Sequence, residues 1–373
     1  MTKDNRINVL NIGLMLISCI AAFIMPFEVF LFTYAVLGPL HYLTEVSWLH
    51  DRKYFATGKY DYLVLLIIGV LITLQSLARQ THFVEYLVNE YDLEEVPAIF
   101  RNDFYNKIMF VAFFGAILMA FIENKFIKIF GLLLILILAN AIFLPNSKDN
   151  LTFFVATLLP TLIHVYIFTG IFILYGALKS RNESGLLSFG VFVLCPFLLF
   201  YLFRDESFVH ITSYGRDAYL GGQNGNGFGF AGLNKNILEK FFHVNFPTYR
   251  NADGYEVPKN ADMSVILFNS KSGILLMRFI AFAYTYHYLN WFSKTEIIRW
   301  HKVPKARFVV VIILWIASLA IYAIDYAKGL EWLFFLSLCH VLLEFPLNFT
   351  SMAGVGRELS SIAKGGFKPL VVK

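Results

Sequence analysis

The stretch FEVFLFTYAVLGPLHYLTEVSW, residues 27–48, indicates both how this chain folds and where its chemistry lies. As a helix it is long enough to cross a bilayer core of roughly 30 Å. Gly38 and Pro39 interrupt it, and His41 and Glu45 then place an imidazole and a carboxylate on one face, one turn apart. Ionisable groups in hydrocarbon cost roughly 2.5–3.5 kcal/mol each. We therefore expect a compensating partner at this position and interpret it as a metal ion.

The same spacing returns near the other end of the chain, in CHVLLEFP, residues 339–346. There His340 precedes Glu344 by four residues, again inside an apolar run, and Pro346 follows. Because this pattern occurs twice, we expect two distant helices to contribute the same kind of polar group to one site.

The composition excludes an ordinary soluble globule. Of the 373 residues, 58% are hydrophobic and 15% are charged, and the mean hydropathy is +0.62. We predict an all-α polytopic membrane protein: a single transmembrane domain over residues 1–373, with about ten helices, several kinked by proline, around a buried histidine-rich site. The predicted spans are 8–24, 27–48, 61–78, 105–122, 127–144, 151–178, 186–203, 273–292, 307–327 and 331–350.

Charged residues predict the orientation of these spans. Lysine and arginine concentrate in alternate connections, whereas an acidic segment lies on the opposite side. We therefore expect both termini in the cytoplasm of a bacterial inner membrane, and the segment 204–272 as an extracytoplasmic insertion between spans seven and eight. The net charge of +5 follows from this topology and does not indicate a nucleic-acid partner.

Two other kinds of site are excluded by spacing. Cys19, Cys195 and Cys339 all lie in apolar runs without CxxC spacing, which argues against a disulfide framework or a thiolate metal site. The glycine-rich stretch 221–230 lacks the Lys-Ser/Thr of a phosphate-binding loop.

Four histidines fall inside predicted spans: His41, His164, His287 and His340. They lie about 14, 13, 14 and 9 residues from the outer ends of spans that run in the same direction, a slab somewhat under about 10 Å thick. A single such histidine is often only a hydrogen-bonded helix contact. Four at one depth, without thiolates, favour a metal centre, with Fe(II) preferred and copper or zinc not excluded. Glu45 and Glu344 are candidate catalytic groups, either as ligands or as acceptors that orient the ligand rings.

Prolines and aromatic residues near these histidines predict a shaped apolar cavity. Pro39, Pro160 and Pro346 are close enough to their histidines to kink three of the four helices. Aromatic side chains near the histidines would then contact an apolar, lipid-like substrate. The candidates are Tyr42, Tyr284, Tyr288 and Trp291. The alternative for most aromatic residues is packing against lipid and at the membrane interface.

These motifs resemble those of the bacterio-opsin-related membrane family of β-carotene 15,15′-dioxygenases. Gly38-Pro39-Leu40-His41-Tyr42-Leu43-Thr44-Glu45 is similar to the family's Gly-Leu-Pro-His-Gly-x-x-Asp signature. The segment 339–344 is similar to its late Pro-His-x-x-x-x-Asp segment, and 286–292 lies where the family has a His-x-x-x-His pair. His164 would stand for the histidine of its third conserved block.

The departures from the family pattern are specific. Leucine and proline are transposed in the first motif, Asp becomes Glu in two places, and Trp291 replaces the second histidine of the pair. The late segment is one residue shorter between its histidine and its acid, and the insertion lengthens the chain. The resemblance covers four short patches. It implies histidine-bound ferrous iron and O2 chemistry on a long apolar polyene, with carotenoid cleavage to retinal as its specific form.

Three alternatives remain open from the sequence. A transporter could use intramembrane His and Glu to relay protons or bind a cation. A lipid desaturase or hydroxylase usually has HxxxH and HxxHH pairs, and neither pattern occurs here. A structural or assembly protein would bind no metal.

Overall fold

The computed structural model describes residues 3–81, 83–92, 96–144, 150–202, 209, 211–222, 228–250, 256–258 and 260–367. Helices dominate this part of the chain. The first eight are α1 Lys3–Ile24, α2 Pro26–Asp51, α3 Asp61–Gln80, α4 Phe83–Glu90, α5 Asn102–Phe121, α6 Lys125–Ile142, α7 Asn150–Phe153 and α8 Thr169–Ser180. The others are α9 Glu183–Phe197, α10 Ser213–Leu220, α11 Ala231–Phe241, α12 Asn260–Asn269, α13 Lys271–Ser293, α14 Thr295–Ile298, α15 Lys305–Ile324 and α16 Tyr326–Gly365.

Shorter elements complete the description. Wide helical turns of the π type cover Phe154–Phe168 and Leu198–Leu202, and 3₁₀ turns cover Lys53–Phe55 and Ala98–Phe100. Strands β1 Thr248–Arg250 and β2 Glu256–Pro258 form one antiparallel pair, with Thr248 opposite Pro258.

The predicted membrane architecture is confirmed. Among the described residues, nine helices are long and apolar enough to cross a membrane, or ten if one bent pair counts as a span. The second helix of that pair, Lys271–Ser293, corresponds to the predicted eighth span, whereas Met263–Asn269 lies in the segment predicted as an insertion; the two helices meet at 64°. The bend occurs because the Ser270 hydroxyl caps α13, accepting from Gly273 N at 3.0 Å, while the Gly273 Cα lies tightly against the end of α12.

The sixth predicted span is one continuous helical stretch from Asn150 to Ser180, but its middle is wide. Pro160 lies inside this wide part and has no N–H to offer the carbonyl one turn back. A wide turn accommodates the missing hydrogen bond, and such turns are frequent at functional sites.

Helix ends and connections that the predicted topology places on the same side of the membrane contact each other. Thr57, before α3, donates to the carbonyl of Met119 at the end of α5. Lys128, near the start of α6, forms a largely buried ion pair with Asp61 at the start of α3. Asn8 of α1 donates to Ser184 of α9 at 2.9 Å. Which side faces the cytoplasm stays a prediction, as does the bacterial inner membrane.

The chain forms two compact units. The first comprises residues 1–41, 176–332 and 367–373, and the second residues 42–175 and 333–366. In the first, α1 packs against α9 and α13. In the second, α5 packs against α6 and against the wide helix. Glycines at the α5–α6 contact, Gly115 and Gly131, lie against leucine side chains, the close approach that small residues permit between membrane helices.

The segment 204–272 contributes α10, α11, the strand pair and α12 to the first unit. Its described parts pack closely on the membrane helices: α11 and α12 contact α13, and the fully buried Tyr219 of α10 donates to Met277 Sδ at 3.1 Å. That it is extracytoplasmic stays a prediction.

Candidate metal centre

The four intramembrane histidines are all buried, with exposed fractions of 1% for His41, 2% for His164, 6% for His287 and 3% for His340. Each lies on a different helix: His41 on α2, His164 on the wide helix, His287 on α13 and His340 on α16. They form two pairs, one within each unit.

The first pair consists of His41 and His287. Their Nε2 atoms are 3.0 Å apart, and the ring centroids lie 4.7 Å apart at 83°. Two aromatic residues that follow His287 on α13 pack against the His41 ring. The ring centroids of Tyr288 and Trp291 lie 5.3 and 5.4 Å from that of His41. Aromatic rings therefore hold the His41 imidazole on two sides.

The second pair consists of His164 and His340. Their Nε2 atoms are 3.2 Å apart, and the ring centroids lie 5.0 Å apart at 75°. The Tyr42 ring stacks on His340 with centroids 4.1 Å apart and planes at 22°. The two pairs thus share one geometry, with Nε2 facing Nε2 and the rings nearly perpendicular.

This geometry suits a metal ion. Nitrogen ligands about 2.0–2.2 Å from a common metal lie roughly 2.8–3.6 Å apart when the angle between them is 90–109°. Both Nε2–Nε2 distances fall in this range. They also suit a hydrogen bond from one ring N–H to the other ring nitrogen. Each of three histidines, His41, His287 and His340, offers a buried ring nitrogen that could hold a metal ion.

Glu344 lies beside a histidine of another helix. Its Oε2 is 3.2 Å from His164 Nδ1, and both side chains are almost fully buried. The four-residue spacing put Glu344 on the same face of α16 as His340, and the structure also places it beside the imidazole of His164. A carboxylate behind Nδ1 is what fixes the tautomer of a histidine that binds a metal through Nε2.

Glu45 is also buried, with 3% of its surface exposed, one helical turn after His41 in α2. Its charge interacts with that of Glu344. Two buried carboxylates in an apolar interior are costly to ionise unless a cation or a proton offsets their charge.

The predicted substrate-contacting residues occupy different positions. Tyr42, Tyr288 and Trp291 touch histidine rings, as described above. Tyr284 is one ring further away: it lies 6.3 Å from Tyr288 and packs against Tyr34 at 6.0 Å. Their role toward a substrate stays a prediction.

Two polar features near the histidines were missed by the sequence reasoning. Tyr286, next to His287, donates to Asn11 Oδ1 at 3.1 Å, and Ser293 donates to the same oxygen at 3.0 Å. Asn348 of α16 is fully buried, one turn beyond Glu344. The signal for Asn348 was present, since residues 340, 344 and 348 repeat a polar position every fourth residue.

Comparison with known proteins adds no relative: no protein-family model, no curated protein and no solved structure matches the chain.

Proposed function

We propose that this protein is a membrane-embedded, iron-dependent oxygenase that acts on a lipid-soluble polyene. The observation that carries the proposal is the pair of Nε2–Nε2 contacts, 3.0 and 3.2 Å, between buried histidines of apolar helices. The resemblance stated above adds the specific form, oxidative cleavage of a carotenoid to retinal.

The donor set favours iron. The atoms that face each other are imidazole nitrogens, the Glu344 carboxylate stands beside His164, and among the described residues no cysteine belongs to the group that could hold a metal. Imidazole and carboxylate donors with open positions are typical of non-haem Fe(II) oxygenases. When bound, ferrous iron supplies the means to bind O2 and activate it.

The chain's own residues perform the remaining tasks. The Glu344 carboxylate, 3.2 Å from His164 Nδ1, favours the tautomer with its proton on Nδ1, which leaves Nε2 to bind. Tyr42 fixes the plane of His340 by stacking, while Tyr288 and Trp291 fix His41. These contacts reduce the motion of each ligand ring, which lowers the cost of forming the centre.

The surroundings suit an apolar reactant. Both histidine pairs are buried among aromatic and aliphatic side chains, so water is excluded and a hydrocarbon chain can approach without losing hydrogen bonds. Addition of both atoms of O2 across one carbon–carbon double bond gives two carbonyl groups and needs no external reductant. The substrate would enter laterally from the bilayer.

The test is conversion of a carotenoid by purified protein in detergent micelles. We expect iron-loaded protein to consume O2 and convert β-carotene to retinal, and zinc-loaded protein not to do so. His340→Ala should abolish turnover, whereas the control His301→Ala, which changes an exposed histidine, should retain it. Iron-loaded protein that neither consumes O2 nor changes any polyene would contradict the proposal.

One observation favours a second function, a cation or proton transporter. The carboxylates of Glu45 and Glu344 are both buried inside membrane helices, where ionisable residues often mark an ion path. Proteoliposomes with a pH-sensitive dye inside distinguish the two: proton movement that stops in Glu45→Gln, without O2 consumption, would favour the transporter. The desaturase or hydroxylase alternative would instead require an external electron donor for turnover.

A further inference from the structure

Helix α16 is much longer than a membrane span. Its 40 residues, Tyr326–Gly365, extend about 60 Å, roughly twice the thickness of the hydrocarbon core. The predicted span within it ends at residue 350. The remaining turns, from Ser351 onward, therefore continue the helix past the hydrocarbon.

One face of this continuation forms an open groove of about 850 Å³. Its lining residues recur every three or four positions, so they share a single helix face. They are Ala353, Gly356, Arg357, Ser360, Ser361, Lys364 and Gly365. The side chains of Arg357 and Lys364 lie two turns apart, with the hydroxyl groups of Ser360 and Ser361 between them. The glycines and the alanine have small side chains or none, which leaves space between the two cations. The carboxylate of Glu358 is not part of the lining.

Exposed apolar side chains occupy the side of this helix away from the two cations. Met352 is 45% exposed and Leu359 is 51% exposed on the same helical segment. A helix with apolar residues on one side and basic residues on the other is typical of the interface between hydrocarbon and headgroups. Both features occur on the segment that follows the predicted span.

We propose that this groove binds the phosphate headgroup of an anionic phospholipid from the surrounding bilayer. Arg357 and Lys364 contact the phosphate, since guanidinium and ammonium groups are the usual partners of phosphate oxygens. The Ser360 hydroxyl donates to the Gly356 carbonyl at 2.9 Å, so its oxygen lies between the two cations without offering a further proton. Met352 and Leu359, on the other side of the helix, keep the segment at the membrane surface, where phospholipid headgroups are abundant.

The test uses the full-length protein in a neutral detergent, with lipid adducts counted by native mass spectrometry. We expect phosphatidylglycerol to bind more tightly than phosphatidylcholine. Removal of both charges in Arg357→Gln/Lys364→Gln should weaken phosphatidylglycerol about 30-fold, because each basic residue near a membrane surface contributes about one kcal/mol. The matched control Lys302→Gln/Lys305→Gln removes two exposed cations elsewhere and should bind as the unchanged protein does.

A second variant keeps the charges and fills the groove. A Cβ at Gly356 would meet no atom within 4 Å, so Gly356→Leu should fold normally and still block the headgroup. Equal phosphatidylglycerol binding by the unchanged protein and both groove variants would overturn the proposal. Displacement of the lipid by millimolar inorganic phosphate would overturn the lipid as its ligand and assign the groove to free phosphate. Neither outcome depends on the histidines or on iron.

Discussion

Replacing Glu344 with glutamine separates the metal-site account from a purely structural role of the histidines. The variant keeps the shape of the side chain but removes the negative charge 3.2 Å from His164 Nδ1. In the metal-site account, the negative charge beside Nδ1 makes His164 a better ligand. The loss should therefore appear in metal affinity.

The expected size follows from this position. Removing a carboxylate that stands behind a metal-bound histidine typically weakens metal affinity 10–100-fold, about 1.4–2.7 kcal/mol. Folding should respond differently. Burial of the charged group is costly in an apolar interior, and a neutral amide avoids that cost, so the free energy of unfolding should stay the same or increase.

The assay combines two readouts on detergent-purified protein: competition for Fe(II) or Co(II) against a chelator of known affinity, and the midpoint of thermal unfolding without metal. Glu331→Gln is the control, because Glu331 lies on the same helix and pairs with Lys328 near the surface. Unchanged metal affinity in Glu344→Gln, together with a lowered unfolding midpoint, would refute the reasoning and leave Glu344 as a structural partner of a hydrogen-bonded histidine.

Two further predictions concern the scaffold around the histidines. Tyr286→Phe removes the hydroxyl that donates to Asn11 and should lower the free energy of unfolding by about 0.5–1.5 kcal/mol in mixed micelles; an unchanged value would mean that the hydrogen bond contributes nothing. Gly273→Ala would place a Cβ 2.4 Å from Leu267 O at the bend before α13, and should cost more than about 2 kcal/mol. The control is Gly232→Ala, whose Cβ would meet no atom within 4 Å and which should raise the free energy of unfolding by about 0.5–1 kcal/mol. Equal effects of the two alanine substitutions would contradict the close contact at the bend.

The membrane helices could be predicted from the sequence because burial in hydrocarbon sets a simple requirement on each segment. A run such as residues 127–144 must be apolar over its whole length and must satisfy its backbone within the segment. The burial of His41 and its three counterparts follows from the same hydropathy. Their arrangement in pairs required knowledge of which helix faces meet, and hydropathy does not encode that.

The details that the sequence left open arise from packing. The four-residue spacing identified Glu344 as important, but its contact with His164 depends on how two helices lie against each other. The bend at Ser270 arises because the serine caps a new helix instead of continuing the previous one. A serine followed by a lysine is compatible with both conformations, so the sequence does not distinguish them. The wide turn around His164 had one visible cause, Pro160, but proline predicts an interruption and not its geometry.

The central claim is that the buried histidines hold a metal ion, and metal content tests it most directly. Protein purified in detergent without chelator and reloaded with Fe(II) would be analysed by mass spectrometry, beside variants that break one pair or the other, His41→Ala and His340→Ala. We predict stoichiometric iron in the unchanged protein and in the control His301→Ala, and less iron in each of the two pair variants. Absence of stoichiometric metal from the reloaded, unchanged protein would contradict the claim and leave the histidines as hydrogen-bonded contacts between helices.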